Sequence, residues 1–213
     1  MLQTNPGIKK NDMLLLEEEK PVESWFNSDE QFNNLYPLPI KQLAARHWTP
    51  IIVARKAAAF LAVGNNVRIL DVGSGVGKFC LTAAHHYPKA FYYGVEQRES
   101  LIQHAETAKE TLGFNNVSFI HGNFTQLDFK NYDSFYFYNS FYENLVGNDK
   151  IDDSIDYSNE LFNYYSRYLY TQLAQKPAGT RLTTFHSLED EVPSSYLIVG
   201  TEMDNRLKYW LKL

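Results

Sequence analysis

Three glycines follow an apolar stretch that ends in an acidic residue, in the run Asp71-Val72-Gly73-Ser74-Gly75-Val76-Gly77. A glycine-rich turn after a buried strand lets the backbone approach a nucleotide-like ligand, because no Cβ atoms intervene. The spacing Gly-x-Gly-x-Gly is not the dinucleotide fingerprint Gly-x-Gly-x-x-Gly, whose third glycine would fall at Lys78. It also fails the pattern Gly-x-x-x-x-Gly-Lys-Ser/Thr, since Phe79 follows Lys78 and the leading glycine would fall at Val72.

Two further polar positions follow stretches that we predict to be strands. Glu96 closes the segment Tyr93-Gly94-Val95-Glu96 and comes 19 residues after Gly77. An acidic residue about 20 residues after a glycine turn accepts hydrogen bonds from ribose hydroxyls. The run Asn139-Ser140-Phe141-Tyr142 follows an aromatic stretch, at a strand end where an open α/β sheet presents reactive groups. The sequence therefore predicts a ribose-binding carboxylate and a reactive polar group at one edge of a sheet.

These positions need a sheet whose strands end on the same side. From residue 67, short apolar stretches alternate with stretches of helical periodicity, which predicts a parallel sheet with helices on both faces. Only Asp204-Asn205 separates the last two strands, so we expect them to form an antiparallel hairpin at the end of the sheet. The predicted fold class is α/β, with a doubly wound, mostly parallel, seven-stranded sheet. We predict strands at 67–72, 90–96, 117–121, 133–138, 180–185, 196–203 and 206–213, and helices at 51–63, 78–86, 98–112 and 159–175.

The segment before the first strand divides into three parts. Residues 1–20 combine charged and turn-forming residues and are predicted to be a flexible leader. Residues 21–48 contain aromatic residues interrupted by prolines, which indicates short helices that form a cap on the main domain, residues 49–213. Thr49-Pro50 resembles a helix start, with Thr49 as the N-cap and Pro50 at the first helical position.

Composition limits the classes of partner and compartment. The 213 residues carry a net charge of −5 and contain no basic stripe, which argues against a nucleic-acid partner. Cys80 is the single cysteine, so a disulfide within the chain is impossible and a reducing, cytoplasmic compartment is expected. We expect a buried, unreactive Cys80. No apolar run approaches the roughly 18–20 residues of a membrane span, and no signal peptide is recognised.

The glycine run resembles the first motif of the class I S-adenosylmethionine-dependent methyltransferases, an acidic residue followed by Gly-x-Gly-x-Gly. The resemblance covers about residues 49–213 in the order of elements and implies a Rossmann-like methyltransferase fold. It implies that the loop wraps the methionine part of S-adenosyl-L-methionine with the Asp71 carboxylate near its amino group. It also implies that Glu96 binds the ribose, Asn123 the adenine amino group and Phe124 the adenine ring. The predicted cofactor-binding residues are Asp71, Gly73, Ser74, Gly75, Gly77, Glu96, Gln97, Asn123, Phe124 and Thr49.

The strand-end run Asn139-Ser140-Phe141-Tyr142 is similar to the motif of amino-methylating enzymes, with both of their prolines replaced. It is locally similar to the Asn-Asn-Phe motif of the non-SET histone-lysine methyltransferases. We therefore predict transfer of a methyl group to an amino nitrogen of a protein lysine or similar acceptor, with Asn139 and Tyr142 as catalytic residues and no metal. The acidic loop with Asp152-Asp153 and Asp156 is expected to be solvated. Two alternatives remain, a small-molecule O- or N-methyltransferase and a non-catalytic S-adenosylmethionine-binding module.

Overall fold

The sheet has the predicted architecture. The structure, a computed structural model, describes residues 21–145, 147, 150–187 and 189–213, so the predicted leader lies outside the described residues. The strands are β1 (Arg68–Val72), β2 (Phe91–Glu96), β3 (Val117–His121), β4 (Ser134–Tyr138), β5 (Arg181–Phe185), β6 (Tyr196–Glu202) and β7 (Leu207–Lys212). Their order in the sheet is β3-β2-β1-β4-β5-β7-β6. β1 to β5 are parallel, whereas β7 is antiparallel to β5 and to β6, and the predicted fold class is confirmed.

Helices cover both faces of the sheet, because alternate residues of each central strand point to opposite sides. Ile69 and Tyr136 face a core layer built with the helices at residues 51–61, 78–86 and 99–112. Leu70 and Phe135 face a second layer built with the helix at residues 159–174. The apolar stretches are buried on both faces, as is typical of a parallel sheet. The helices are α1 (Asp29–Asn33), α2 (Leu38–Lys41), α3 (Ala44–His47), α4 (Ile51–Leu61), α5 (Lys78–His86), α6 (Glu99–Leu112) and α7 (Asn159–Ala174).

The strand order reverses at β1, which lies between β2 and β4. Val72 at the end of β1 is in register with Val95 of β2 and Phe137 of β4. The connections from these strands leave in opposite directions, and this opens a crevice outside their carboxyl ends. Gly73 and Asn139 directly follow β1 and β4, and Glu96 is the last residue of β2.

The start of α4 differs from the prediction. The helix begins at Ile51 and the side chain of Thr49 does not cap it. Thr49 is buried, and its hydroxyl forms a hydrogen bond of 3.1 Å with the Tyr136 hydroxyl of the sheet. The acceptor for the Ile51 amide is instead Oδ1 of Asp29, at 2.9 Å. The helical cap therefore supplies the N-terminal acceptor of the first long helix.

The C-terminal hairpin turns over more residues than the two predicted. β6 ends at Glu202 and β7 begins at Leu207, so four residues connect the strands. Met203, Asp204 and Asn205 have φ angles of 54°, 55° and 63°. Asp and Asn tolerate this left-handed conformation, which explains their presence in the turn. In the described part of the chain, no helix is long and apolar enough to cross a membrane.

Candidate functional site

A cleft of about 370 Å³ lies at the carboxyl ends of β1, β2 and β4, in the size range of small-molecule sites. A smaller cavity of about 30 Å³ adjoins it and shares His47, Gly73 and Tyr138 as lining residues. The structure brings most of the predicted site residues together in these two spaces. The cleft is lined by Gly73, Gly75, Glu96, Gln97, Phe124, Asn139 and Tyr142, and the smaller cavity by Thr49, Asp71, Gly73 and Ser74.

The glycine loop is tightly packed against the end of β4. Gly73 has a φ of +78°, and a Cβ atom there would lie 2.5 Å from Cβ of Ser140. Ser140 donates a hydrogen bond of 2.6 Å to the carbonyl oxygen of Val72. A side chain at position 73 would separate these two strand ends. Glycine is therefore required for the close approach that forms the floor of the cleft.

Gly77 does not line the cleft, and its role is structural. It has a φ of +82° and precedes the first residue of α5. A Cβ atom at Gly77 would lie 2.2 Å from the ring of Phe119 in β3. Glycine at this position allows α5 to pack closely on the sheet, as the third glycine of a nucleotide-binding loop does.

Asp71 is the buried acid of the site. It is 3% exposed, and the Cys80 thiol lies 3.8 Å from Oδ2 of Asp71. Burial raises the pKa of Asp71 to about 8, and the negative charge of Glu96 acts in the same direction. The hydroxyl oxygen of Ser74, in the same cavity, has no hydrogen-bond partner among the described residues. The Asp71 carboxyl fits an ammonium and the Ser74 hydroxyl fits a carboxylate. These are the two charged groups of an amino acid.

Glu96 is fixed in orientation by backbone groups. Its Oε2 accepts a hydrogen bond of 3.2 Å from the Gly75 amide, and its Oε1 accepts one of 3.0 Å from the Arg98 amide. The guanidinium of Arg98 also contacts Oε1, at 3.4 Å. The carboxylate of Glu96 therefore joins the glycine loop to the end of β2, where a ribose would bind.

Asn123 holds its neighbours in place and does not line the cleft. Its Nδ2 donates to Oε1 of Gln97 at 3.1 Å and to the Tyr165 hydroxyl at 2.8 Å. Its Oδ1 accepts a hydrogen bond from the amide of Thr125. All polar atoms of the Asn123 side chain thus have partners, whereas Gln97 and Tyr165 line the cleft.

An aromatic wall closes one side of the cleft. Phe124 is 4% exposed, and its ring stacks on Phe141 with centroids 5.0 Å apart. Phe141 is buried in the core, and it also lines the cleft together with Tyr138 and Tyr142. Of these three residues, Tyr138 and Tyr142 are partly exposed.

The end of β4 presents two amide oxygens that lack partners. Asn139 has a φ of 48°, a conformation that is uncommon for residues other than glycine and is often found at functional sites. Its Oδ1 is buried with no hydrogen-bond partner in the described residues. Asn144, which is 9% exposed, donates from Nδ2 to the Phe141 carbonyl at 3.0 Å. That bond leaves Oδ1 of Asn144 likewise unpartnered among the described residues.

Sequence reasoning missed several residues of the cleft. Arg46 and His47 enter from the helical cap, and a wall is formed by Ile151, Ile155 and Tyr157. Neither segment has a recognisable motif, so only the tertiary structure places them here. For Arg98, the one signal that the sequence offered was its position two residues after Glu96.

In the acidic loop after residue 150, Asp153 and Asp156 are exposed as predicted, whereas Asp152 has protein contacts. Oδ1 of Asp152 lies 3.2 Å from Nε of Arg98 and accepts hydrogen bonds from Ser154. Asp152 is therefore not simply solvated, as the sequence suggested. Within the described ranges, no group of three His, Cys, Asp or Glu residues is arranged to hold a metal ion.

Comparisons with known proteins agree with this geometry. Residues 64–166 match a family model described as a methyltransferase domain. A tRNA (guanine-N(7)-)-methyltransferase of Synechococcus sp. (strain JA-3-3Ab) is 41% identical over 54 residues, 25% of this chain and 23% of the relative. A 23S rRNA (uracil(1939)-C(5))-methyltransferase of Haemophilus ducreyi is 34% identical over 74 residues, 35% of this chain and 16% of the relative. The matched stretches thus span less than a quarter of these curated relatives.

A solved structure supports the fold over most of the chain. An RNA methyltransferase from Salinibacter ruber, in complex with S-adenosyl-L-homocysteine, aligns with a TM-score of 0.53 and 18% identity. The alignment covers 77% of this chain and 92% of that protein. The match of residues 64–166 to a methyltransferase-domain model supports the predicted class, an S-adenosylmethionine-dependent methyltransferase, and its cofactor.

Two expectations about the methyl acceptor do not stand. The argument against a nucleic-acid partner is wrong, because the curated relatives are named as tRNA and rRNA methyltransferases. It relied on a net charge of −5, which averages the whole surface and does not report the local field of a cleft. The similarity to histone-lysine methyltransferases finds no support among the relatives reported above.

Proposed function

We propose that this chain transfers the methyl group of S-adenosylmethionine to an amino nitrogen of an RNA nucleotide. The observation that carries the proposal is the pair of unpartnered amide oxygens, on Asn139 and Asn144, in the cleft that contains Glu96. A buried oxygen without a hydrogen-bond partner costs about 1–3 kcal/mol, so such atoms are typical of positions that a ligand completes.

The two oxygens favour one type of acceptor atom. An amide oxygen only accepts hydrogen bonds, so each of these oxygens is complementary to a donor, such as an N–H of an –NH₂ group. N7 of guanine is itself an acceptor and would face Asn139 and Asn144 without a hydrogen to donate. The site therefore fits an exocyclic amino group better than a ring nitrogen.

The chemistry needs accurate positioning above all. S-adenosylmethionine supplies a methyl group on a sulfonium, and the acceptor nitrogen must lie about 3–3.5 Å from that carbon. Asp71 and Ser74 would hold the amino-acid end of the cofactor, and Glu96 the ribose. Asn139 would orient the acceptor amine through one N–H, leaving its lone pair directed at the methyl carbon. The nitrogen gains the methyl group and releases a proton, while S-adenosylhomocysteine leaves.

Two observations support an RNA acceptor. The curated relatives act, by their names, on tRNA and rRNA. Tyr138 and Tyr142 line the cleft and are partly exposed, and aromatic side chains stack on unpaired bases that are turned out of an RNA strand. We assign residues 21–48 to the site as a cap and 49–213 to the methyltransferase domain, because Arg46 and His47 line the cleft.

A small cationic amine is the second candidate. The short helix Glu189–Glu191 lies near Tyr142, whose pKa is raised by burial and by the negative charges of Glu191 and Asp190. Acidic residues and a tyrosine face both attract a positively charged amine. The cap and the wall at residues 151–157 also narrow the cleft, which suits a metabolite.

The test uses the purified chain with methyl-labelled S-adenosylmethionine and, separately, total tRNA, total rRNA and a small-molecule extract. Labelled RNA is digested to nucleosides, and the methylated atom is identified by mass spectrometry. We expect an exocyclic N-methyl nucleoside. Asn139→Ala should lower kcat by about 100-fold, because the amine loses its orientation. Asn163→Ala, at an exposed position of α7, is the control.

Each other outcome contradicts a defined part of the proposal. Methylation at a ring nitrogen or at carbon would overturn the amino acceptor but keep the RNA. Label in the small-molecule extract alone would favour the second candidate. Full activity of Asn139→Ala would remove the observation on which the acceptor assignment rests.

A further inference from the structure

Arg98 occupies an unusual place for a charged residue. It directly precedes α6 and follows the predicted ribose-binding acid by two residues. Its side chain is 4% exposed, so the guanidinium has been removed from water almost completely. A charge is buried to this degree only when it is paired, and its partners therefore show what it holds together.

The partners of Arg98 come from three separate segments. Nη1 lies 3.4 Å from Oε1 of Glu96, at the end of β2. Nη2 lies 2.5 Å from Oε2 of Glu143 in the loop after β4, and 2.7 Å from the Tyr157 hydroxyl. Nε lies 3.2 Å from Oδ1 of Asp152. One planar guanidinium thus contacts the ribose site, the acceptor loop and the wall at residues 151–157.

Further hydrogen bonds connect the acceptor loop to the wall at residues 151–157 and also lie within that wall. The Ile151 amide donates to Oε2 of Glu143 at 3.0 Å. The Tyr157 hydroxyl donates to the Asp152 carbonyl at 2.6 Å. Asn144, with its unpartnered oxygen, directly follows Glu143 in the sequence. The position of Glu143 therefore bears on the acceptor oxygen as well as on the wall.

The charges around Arg98 are unbalanced. Three carboxylates, those of Glu96, Glu143 and Asp152, surround one guanidinium. Without it, like charges from the three segments would repel one another. The segments hold this arrangement only while a cation with several donors lies between them.

We propose that Arg98 is a positioning residue that couples cofactor binding at Glu96 to the order of the acceptor loop and of the wall at residues 151–157. This role rests on the proposed function, since it takes Glu96 as a ligand of the cofactor. When the ribose restrains the Glu96 side chain, the Arg98 guanidinium that contacts it is restrained as well. Glu143, Asp152 and Tyr157 are then held in place through their own contacts with Arg98. The cofactor thereby prepares the site for the acceptor, with coupling of the usual 5–150-fold size.

Two variants separate this role from a merely structural one. Arg98→Lys keeps the positive charge, but a single ammonium cannot span the four partners of the fork. Tyr157→Phe removes one hydroxyl of the wall and leaves the contact between Arg98 and Glu96 in place. Arg181→Lys is the matched control, because Arg181 bonds to the Phe60 carbonyl at 3.1 Å and lines neither space of the site.

The experiment measures S-adenosylhomocysteine binding by calorimetry and hydrogen exchange of the peptide that contains residues 150–157, on the full chain. In the native protein, the bound compound should slow exchange of the Ile151 amide about 10-fold. Arg98→Lys should abolish that protection and raise the Kd about 10-fold. Tyr157→Phe should reduce the protection with a smaller rise in Kd. Arg181→Lys should behave like the native protein.

The possible failures are distinguishable. If the native protein does not bind S-adenosylhomocysteine, the proposed function and the coupling both fall. If it binds, and Arg98→Lys retains full protection of residues 150–157, the coupling alone is overturned. Circular dichroism shows whether each variant folds. If Arg98→Lys does not fold, Tyr157→Phe still tests the coupling. Full protection of residues 150–157 in Tyr157→Phe would then overturn the coupling.

Discussion

Asp71→Asn should make the unliganded protein more stable than the native protein at alkaline pH while weakening cofactor binding. The Asp71 carboxyl is 3% exposed, and the Cys80 thiol is a weak donor 3.8 Å away. Burial raises its pKa from the ordinary 3.8 to about 8. Asparagine has nearly the same shape and carries no charge at any pH.

The size and sign of the effect follow from proton binding. Between pH 5 and pH 8 the unfolded chain has lost the Asp71 proton, whereas the folded protein retains it. Raising the pH therefore favours unfolding, by about 1.4 kcal/mol for each pH unit. Over this interval the native protein should lose about 4 kcal/mol of stability through this group, and Asp71→Asn should lose none of it.

The measurement is denaturant unfolding of the ligand-free protein at several pH values. The difference in unfolding free energy between Asp71→Asn and the native protein should grow steadily from pH 5 to pH 8. Cys80→Ala should keep the native slope, because the carboxyl remains buried. A constant difference over this range would refute the assignment of Asp71 as a neutral, buried acid.

The same acid should respond to the cofactor. The amino group of S-adenosylmethionine is a cation, and an opposite charge next to Asp71 favours the ionised form. Cofactor binding near pH 7 should therefore release a proton, which calorimetry in buffers of different ionisation enthalpy detects. Asp71→Asn should show no release and at least a 10-fold weaker affinity. Proton-neutral binding by the native protein would contradict this mechanism.

Two further substitutions test the packing around the site. Gly77→Ala should lower the free energy of unfolding, measured by chemical denaturation, by more than about 3 kcal/mol, because it adds a steric clash with β3 to the strain of a positive φ. Gly113 has a φ of +70° and no neighbour within 4 Å, so Gly113→Ala should lower it by about 1 kcal/mol. Equal costs would show that the clash is relieved. Asp29→Ala should cost about 2 kcal/mol, since it removes the ion-pair partner of Lys78 and the acceptor at the start of α4, whereas Glu30→Ala at an exposed position should change stability by less than about 0.5 kcal/mol. Similar losses in both would contradict this account.

The sequence predicted the sheet well because its signals are local. Each strand is a short apolar run, and the observed strand and helix ends lie within two residues of the predicted ones. The turn at Met203–Arg206 was less accurate, because residues other than glycine adopt positive φ there and extend the loop. Thr49 was assigned as a helix cap because its type fits, but the Tyr136 hydroxyl holds its side chain.

The site was predictable only where a motif follows a strand. The glycine loop and Glu96 lie at the ends of β1 and β2, so their spacing in the sequence was sufficient to predict that they meet at the cleft. Arg46 and Tyr157 approach the cleft from segments distant in sequence, and contacts over such separations leave no periodic pattern. Asn123 matched the expected residue type, yet its side chain is occupied by Gln97 and Tyr165. Residue type therefore identified the position but not its orientation.

Asp29 serves two elements with one carboxylate, and this constrains how the chain can vary. Oδ1 of Asp29 accepts from the Ile51 amide and lies 2.6 Å from Nζ of Lys78. A change of Lys78 to an apolar residue removes the need for the charge but not for the oxygen. Asparagine at position 29 satisfies that case, and we expect the two positions to covary as Asp with Lys and as Asn with an apolar residue. Covariation of positions 29 and 78 would therefore result from a contact between the cap and the glycine loop.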